Sequence, residues 1–150
     1  MAFSSANTTI IGNLTRAPEI KILANGTVMC KLGVAVNTGY FSKQKNEWVD
    51  NEPSFFNVTC WRDLAEHVAE SLASGMKVIC IGQMEQRSWE TPEGDKRSVI
   101  EMTADEVSPS LQRATAVVTR VSTGSGASPA GRNTPNTAPA SAPVPVEEPF

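Results

Sequence analysis

With 150 residues, 40% of them hydrophobic, the chain fits one domain with a real core and a tail. No apolar run approaches the ~20 residues of a membrane span, and Met-Ala-Phe-Ser-Ser at the start lacks the charged and apolar regions of a signal peptide, so a cytoplasmic location is expected. Sixteen acidic residues against thirteen basic ones leave a net charge of −3, which excludes a uniformly basic binder of polyanions.

Any polyanionic partner must therefore meet local positive charge. Lys21, Lys31, Lys43, Lys45, Arg62, Arg87, Lys96 and Arg97 can supply it, with Glu85, Glu90, Glu93 and Asp95 among them. Cys30, Cys60 and Cys80 are odd in number and lack CxxC or Cys/His spacing. They read as buried, reduced, small hydrophobes, and no metal or other cofactor is expected.

Residues 7–14, Asn-Thr-Thr-Ile-Ile-Gly-Asn-Leu, have the short, β-branched character of a strand, and Pro18 marks the bend after it. Asn25-Gly26 then predicts a tight hairpin between Glu19–Ala24 and the β-rich run that follows. Val28, Cys30, Leu32, Val34 and Val36 make one face of that run. Met29, Lys31, Gly33, Ala35 and Asn37 make the other, which is expected to stay open to a partner. From Gly39 to Pro53 the alternation dissolves, and a mobile loop mixing Tyr40, Phe41 and Trp48 with Lys43 and Lys45 is expected, the alternative being a hairpin loop whose Tyr40 and Trp48 pin its base.

Ser54 to Arg62 is the most informative stretch. Pro53 precedes it, and aromatic and β-branched residues crowd it, predicting a strand with Phe56, Val58 and Cys60 toward a core. Phe55, Asn57, Thr59 and Trp61 then share the opposite face. Rings among hydrogen-bonding groups on an open sheet form a platform on which unpaired bases can stack, at ~1–3 kcal/mol each. The alternative is that these rings pack under a neighbouring loop or subunit.

A helix is predicted from Leu64 to Ser74, with Leu64, Val68 and Leu72 on its buried stripe, Asp63 as N-cap, Glu66 completing a capping box and Gly75 ending it. His67 and Glu70 lie toward its polar face, where a solvated surface explains them better than acid–base chemistry. Met76 to Trp89 begins apolar on both faces and turns polar, with Gln83, Glu85, Arg87 and Trp89 on one side. A turn at Pro92–Asp95 returns the chain through Ile100, Met102 and Ala104, so a long protruding hairpin is expected, carrying Arg87, Trp89, Lys96 and Arg97. Ala114–Val121 is β-rich again and predicts a further strand outside the main sheet, whose partner could be another subunit.

Beyond Ser122 the chain is rich in Gly, Ser, Ala, Asn, Thr and Pro, so residues 123–145 read as a disordered linker. Residues 146–150 close it with Glu147, Glu148, Pro149 and Phe150. Two carboxylates, a stiff proline and a terminal ring suit a basic, apolar pocket on another protein.

Ile11-Gly12-Asn13-Leu14 followed by Pro18-Glu19, Asn25-Gly26, Phe55, Trp61 with Leu64-Ala65-Glu66, Gly82-Gln83 and Arg87-Ser88-Trp89 resemble the bacterial single-stranded DNA-binding proteins. The resemblance runs through residues 1–122 and reappears at the last residues. It implies an all-β fold, a five-stranded oligonucleotide-binding barrel with one helix, and a non-enzymatic protein that coats single-stranded DNA. It places the base-stacking rings at Tyr40, Phe55, Trp61 and Trp89, and basic contacts at Lys21, Lys43 and Arg87. Trp48 matches no family aromatic, and Arg62 is followed by Asp63 where a lysine is common. It also implies a homotetramer, an acidic tip that recruits replication and repair enzymes, and a clamp strand at 114–121 joining neighbouring subunits.

Overall fold

Alternation of apolar and polar side chains along short β-rich segments leaves each strand with one face to bury, and closing the sheet on itself buries all of those faces at once. In the computed structural model, which describes residues 4–122, the chain forms eight strands and one helix. In order these are β1 (Asn7–Leu14), β2 (Glu19–Ile22), β3 (Val28–Val36), β4 (Gly39–Ser42), β5 (Glu47–Asp50), β6 (Ser54–Trp61), α1 (Asp63–Ser71), β7 (Lys77–Glu90) and β8 (Lys96–Pro109).

Five strands close a ring. β1 pairs with β7, β7 with β8, β8 in parallel with β6, β6 with β3, and β3 returns to β1. The closing contact is short, Asn13↔Ala35 and Leu14↔Val34. It depends on Gly12, where a Cβ would collide with the Ala35 carbonyl oxygen and lie 2.8 Å from Val34 Cγ1. No larger residue lets the two backbones approach so closely. β2 extends the sheet beside β3 through the expected Asn25-Gly26 hairpin, in which Asn25 Oδ1 accepts from the Thr27 N–H at 3.0 Å. The strand-rich, one-helix arrangement is of the oligonucleotide-binding type.

The ring is filled by Leu32, Val34, Val58, Val78, Met102 and the three cysteines, all nearly inaccessible. α1 lays Ala65 and Val68 over one end, and Leu72 follows them into the core. Two details of the helix differ from expectation. It ends at Ser71, because Leu72 takes an extended conformation that carries its side chain inward, and Gly75 lies beyond it in a separate turn. Its N-cap is Arg62, at φ 59° and without a side-chain cap, so Asp63 lies inside the first turn and no capping box forms. The cause is the ladder: the Arg62 N–H donates to the Val28 carbonyl at 2.8 Å, so pairing persists to the residue where the chain must turn. Asp63 and Glu66 still favour that end of the helix through its dipole.

Three further expectations are corrected. Residues 39–50 are not an irregular loop but a two-stranded hairpin, β4 against β5, because Tyr40↔Val49 and Phe41↔Trp48 make cross-strand pairs of large side chains. The second face of β3 is only partly open. Met29 is buried, and the chain after β1 folds over Gly33, with the Thr15 N–H donating to the Gly33 carbonyl at 2.9 Å. Residues 114–121 form no strand, so the fold lacks the expected additional C-terminal strand. β-prone composition fits a residue to a ladder but does not provide the second backbone, and Val117 stands 97% exposed. The linker and tip expected at 123–145 and 146–150 lie outside the described residues.

Cys30, Cys60 and Cys80 are free, buried thiols, and Cys30 faces Cys60 directly across β3 and β6. Burial raises all three pKa values, Cys80 to about 11 and Cys60 to about 12, with the neighbouring thiols adding to the rise at Cys60 and Glu19 to that at Cys30. Below about pH 8.5 the thiols are protonated in folded and unfolded chains alike, and their contribution is constant. Above it the unfolded chain releases protons that the folded chain retains, so stability falls as pH rises toward the folded values. Urea unfolding at neutral pH and at about pH 10 should show a larger loss of stability for the parent than for Cys60→Ala. Equal losses would mean that these thiols are not the source.

Candidate nucleic-acid interface

Because the inner face of each ring strand is spent on the core, the alternate residues of β6 have only the outside. Phe55, Asn57, Thr59 and Trp61 stand there, with Phe55 70% and Trp61 38% exposed. Their neighbours follow from the register. Phe55 lies opposite Ala35, too small to cover a ring. Trp61 lies opposite Met29, and Met29 opposite Lys21 on β2. Lys31 sits between Thr59 and Glu19. Lys21, Lys31, Phe55 and Trp61 thus share one surface.

The same surface continues across β8 onto β7. Asn57 pairs with Glu101, and Glu101 with Glu85. Farther out the hairpin leaves the ring, as expected, and sets Trp89 opposite Arg97. Arg87 is on this side too: its Nη2 lies 3.3 Å from Glu101 Oε1, and its guanidinium carbon 5.7 Å from the centre of the Trp89 ring. The turn at the tip closes through the Gly94 N–H to the Thr91 carbonyl and the Thr91 N–H to the Asp95 carbonyl. The surface is therefore a line of rings and amides edged by cations, with Glu19, Glu85 and Glu101 inside it. It is not a uniformly positive groove.

The remaining candidates stand apart from this surface. Lys96 pairs with Glu90 and alternates to the other side of the arm from Arg97. Arg62 follows Trp61 at the bend into α1. Tyr40 and Trp48 belong to the separate β4–β5 sheet and point to opposite faces of it, while Lys43 lies in its turn. Trp48 is 64% exposed and lies against Gly39, where a Cβ would come within 2.5 Å of the indole nitrogen. His67 and Glu70 are exposed on α1. Among the described residues no group of three or more His, Cys, Asp or Glu is arranged to hold a metal ion, and no helix is long and apolar enough to cross a membrane.

Two pairings of interest are not visible in the sequence. Phe41, exposed and opposite Trp48, was indistinguishable from loop composition until the hairpin gave it a partner. Glu101 meets Arg87 only through the β7–β8 register. Counting outward from the Pro92–Asp95 turn was the available signal.

A closed five-stranded ring with one capping helix, a projecting arm and exposed rings along one face defines a protein of the oligonucleotide-binding fold. The chain belongs to the single-strand binding protein family, whose profile matches residues 6–110. It is 45% identical over 124 residues to a single-stranded DNA-binding protein of Corynebacterium glutamicum, covering 83% of this chain and 55% of the relative. It is likewise 45% identical over 130 residues to that of Mycobacterium bovis, covering 84% and 79%. The chain spans about half the length of the Corynebacterium relative and of a Bifidobacterium longum one. The crystal structure of a small single-stranded DNA-binding protein from Streptomyces coelicolor superposes with a TM-score of 0.64 at 28% identity, covering 75% of this chain and all of that one.

Exposure separates rings that serve the surface from side chains that hold the fold. Phe55→Ala should change unfolding free energy by less than about 0.5 kcal/mol. Met102→Ala, at a fully buried position, should cost about 2–5 kcal/mol. Denaturant midpoints measure both, and a cost at Phe55 comparable to that at Met102 would make its ring part of the core.

Proposed function

We propose that this chain binds single-stranded DNA with little sequence preference, protecting it during replication, recombination and repair. The observation that carries this reading is the run of exposed rings, Phe55, Trp61 and Trp89, set among hydrogen-bonding groups on one continuous sheet surface in a chain of this family. Every base has a π-face, so stacking on such rings tolerates any sequence. Lys21, Lys31 and Arg97 flank the rings and meet phosphates, giving register and salt dependence but no sequence information. Tyr40, Trp48 and Lys43 of the β4–β5 hairpin, with Arg62 and Lys96, extend contact beyond that surface. Duplex DNA, whose bases are already stacked, has nothing to offer the rings. No bond is made or broken, so no catalytic group is required.

The working form in this reading is a homotetramer in the cytoplasm, associated with the nucleoid. Ile11 and Ile81 support subunit contact: both are nearly half exposed on the outer side of β1 and β7, where Ile11 pairs with Ile79. Residues 114–121 then supply a clamp strand once a neighbouring backbone is present to pair with. The segment 123–145 acts as a linker, and Glu147, Glu148, Pro149 and Phe150 recruit replication and repair enzymes.

Titration with a homopyrimidine single strand should quench the intrinsic tryptophan fluorescence, and duplex of the same length should not. Phe55→Ala and Trp61→Ala should each weaken binding by about 1–3 kcal/mol, or roughly 5- to 150-fold. Parental affinity in both variants would remove the stacking reading. Deleting Glu147–Phe150 should tighten binding at low salt and matter less as salt is added, because an acidic tip competes with DNA for the same cations. An unchanged affinity at low salt would show that the tip does not visit the interface.

A further inference from the structure

A carboxylate in the middle of a surface for a polyanion needs a reason. Glu101 lies directly opposite Glu85 on the outer face of the β7–β8 arm, a like-charge pair that disfavours the strand pairing unless something compensates. Arg87 compensates, at 3.3 Å from Glu101. The acid is the deeper partner, its side chain 26% exposed against 63% for the arginine. The same guanidinium lies over the Trp89 ring, 5.7 Å from its centre. Arg87 and Trp89 are two positions apart on β7, and therefore on the same face.

From this linkage we propose that Arg87 is a positioning residue for Trp89 and not a phosphate anchor, and that Glu101 positions Arg87 in turn. The inference rests on the reading of Trp89 as a stacking ring. A guanidinium is planar and weakly hydrated, so it can lie flat behind an indole and fix its orientation while the other ring face stays open. Glu101 holds the guanidinium there. A cation already paired with a carboxylate has little counterion to release and adds little to the salt dependence of binding. Phosphate contact on this arm then falls to Lys96 and Arg97, neither of which is in an ion pair among the described residues.

The test measures binding of a labelled homopyrimidine strand to the full chain by anisotropy over a series of salt concentrations. The variants are Arg87→Lys, Trp89→Ala, the two combined, and Glu101→Gln, with denaturant midpoints as a folding control. Lysine keeps the charge but cannot lie flat on the ring. Arg87→Lys should therefore weaken binding about two- to fivefold with an unchanged salt slope, and it should add no loss in the Trp89→Ala background. Glu101→Gln should release Arg87 to reach a phosphate and steepen the slope by about 0.7. Parental affinity in Arg87→Lys, or the same loss with and without Trp89, overturns the positioning role, as expected of a point-charge anchor. An unaltered slope in Glu101→Gln overturns the role of Glu101. If Trp89→Ala alone binds like the parent, the stacking assignment of Trp89 fails first and this inference falls with it, while Phe55 and Trp61 are judged by their own variants.

Discussion

A ring of five strands is narrow enough that one side chain in two along each strand fills it completely. That single constraint divides the molecule. Leu32, Val34, Val58, Val78, Met102 and the three cysteines lie at the centre of the interior, and α1 closes one end with Ala65 and Val68. The inward phase of β6 belongs to Phe56, Val58 and Cys60, so Phe55 and Trp61, one position out of phase with them, are held outside whatever their hydrophobicity. Their exposure follows from the phase of β6 as much as from their own chemistry. Closure turns on Gly12, whose missing side chain lets β1 lie against Val34 and Ala35 of β3 while Asn13 and Leu14 pair with them.

Electrostatics supports this division in an uneven way. The chain is net negative, and its cations are distributed around the rings without forming a field of one sign. Acids lie within the surface, two of them facing each other at Glu85 and Glu101. Such a surface draws its grip from stacking and local contact, with charge acting over the few ångströms that screening allows. The acids also have partners: Arg16 meets Glu19 at 3.9 Å and Arg87 meets Glu101, so part of the positive charge is already committed within the protein.

Two projections extend the reach of the ring. The outer residues of the β7–β8 arm, Gln86 to Trp89 and Lys96 to Ser98, are exposed beyond the core and are sustained by cross-strand pairing together with the Arg87 contacts to Glu101 and Trp89. The β4–β5 hairpin likewise stands on Phe41↔Trp48 and Tyr40↔Val49, with Trp48 folded onto Gly39. Both carry rings on short, two-stranded supports. Such supports are less rigid than the ring and can adjust to a flexible ligand.

By itself the sequence determined the local elements and their phase. Alternation in 54–62 separated core from platform, Asn25-Gly26 placed one hairpin, Pro92–Asp95 the other, and the spacing of Leu64, Val68 and Leu72 placed the helix, since each of these signals is carried by neighbours in the chain. Tertiary structure alone decided that Met29 and Gly33 are covered, that Arg62 rather than Asp63 begins the helix, that 39–50 pairs with itself, and that 114–121 has no ladder. It also decided that Arg87 belongs to Glu101 and Trp89. Each of these outcomes depends on which distant backbone or side chain arrives alongside, and that is a property of register and closure, to which no residue's own propensity gives access.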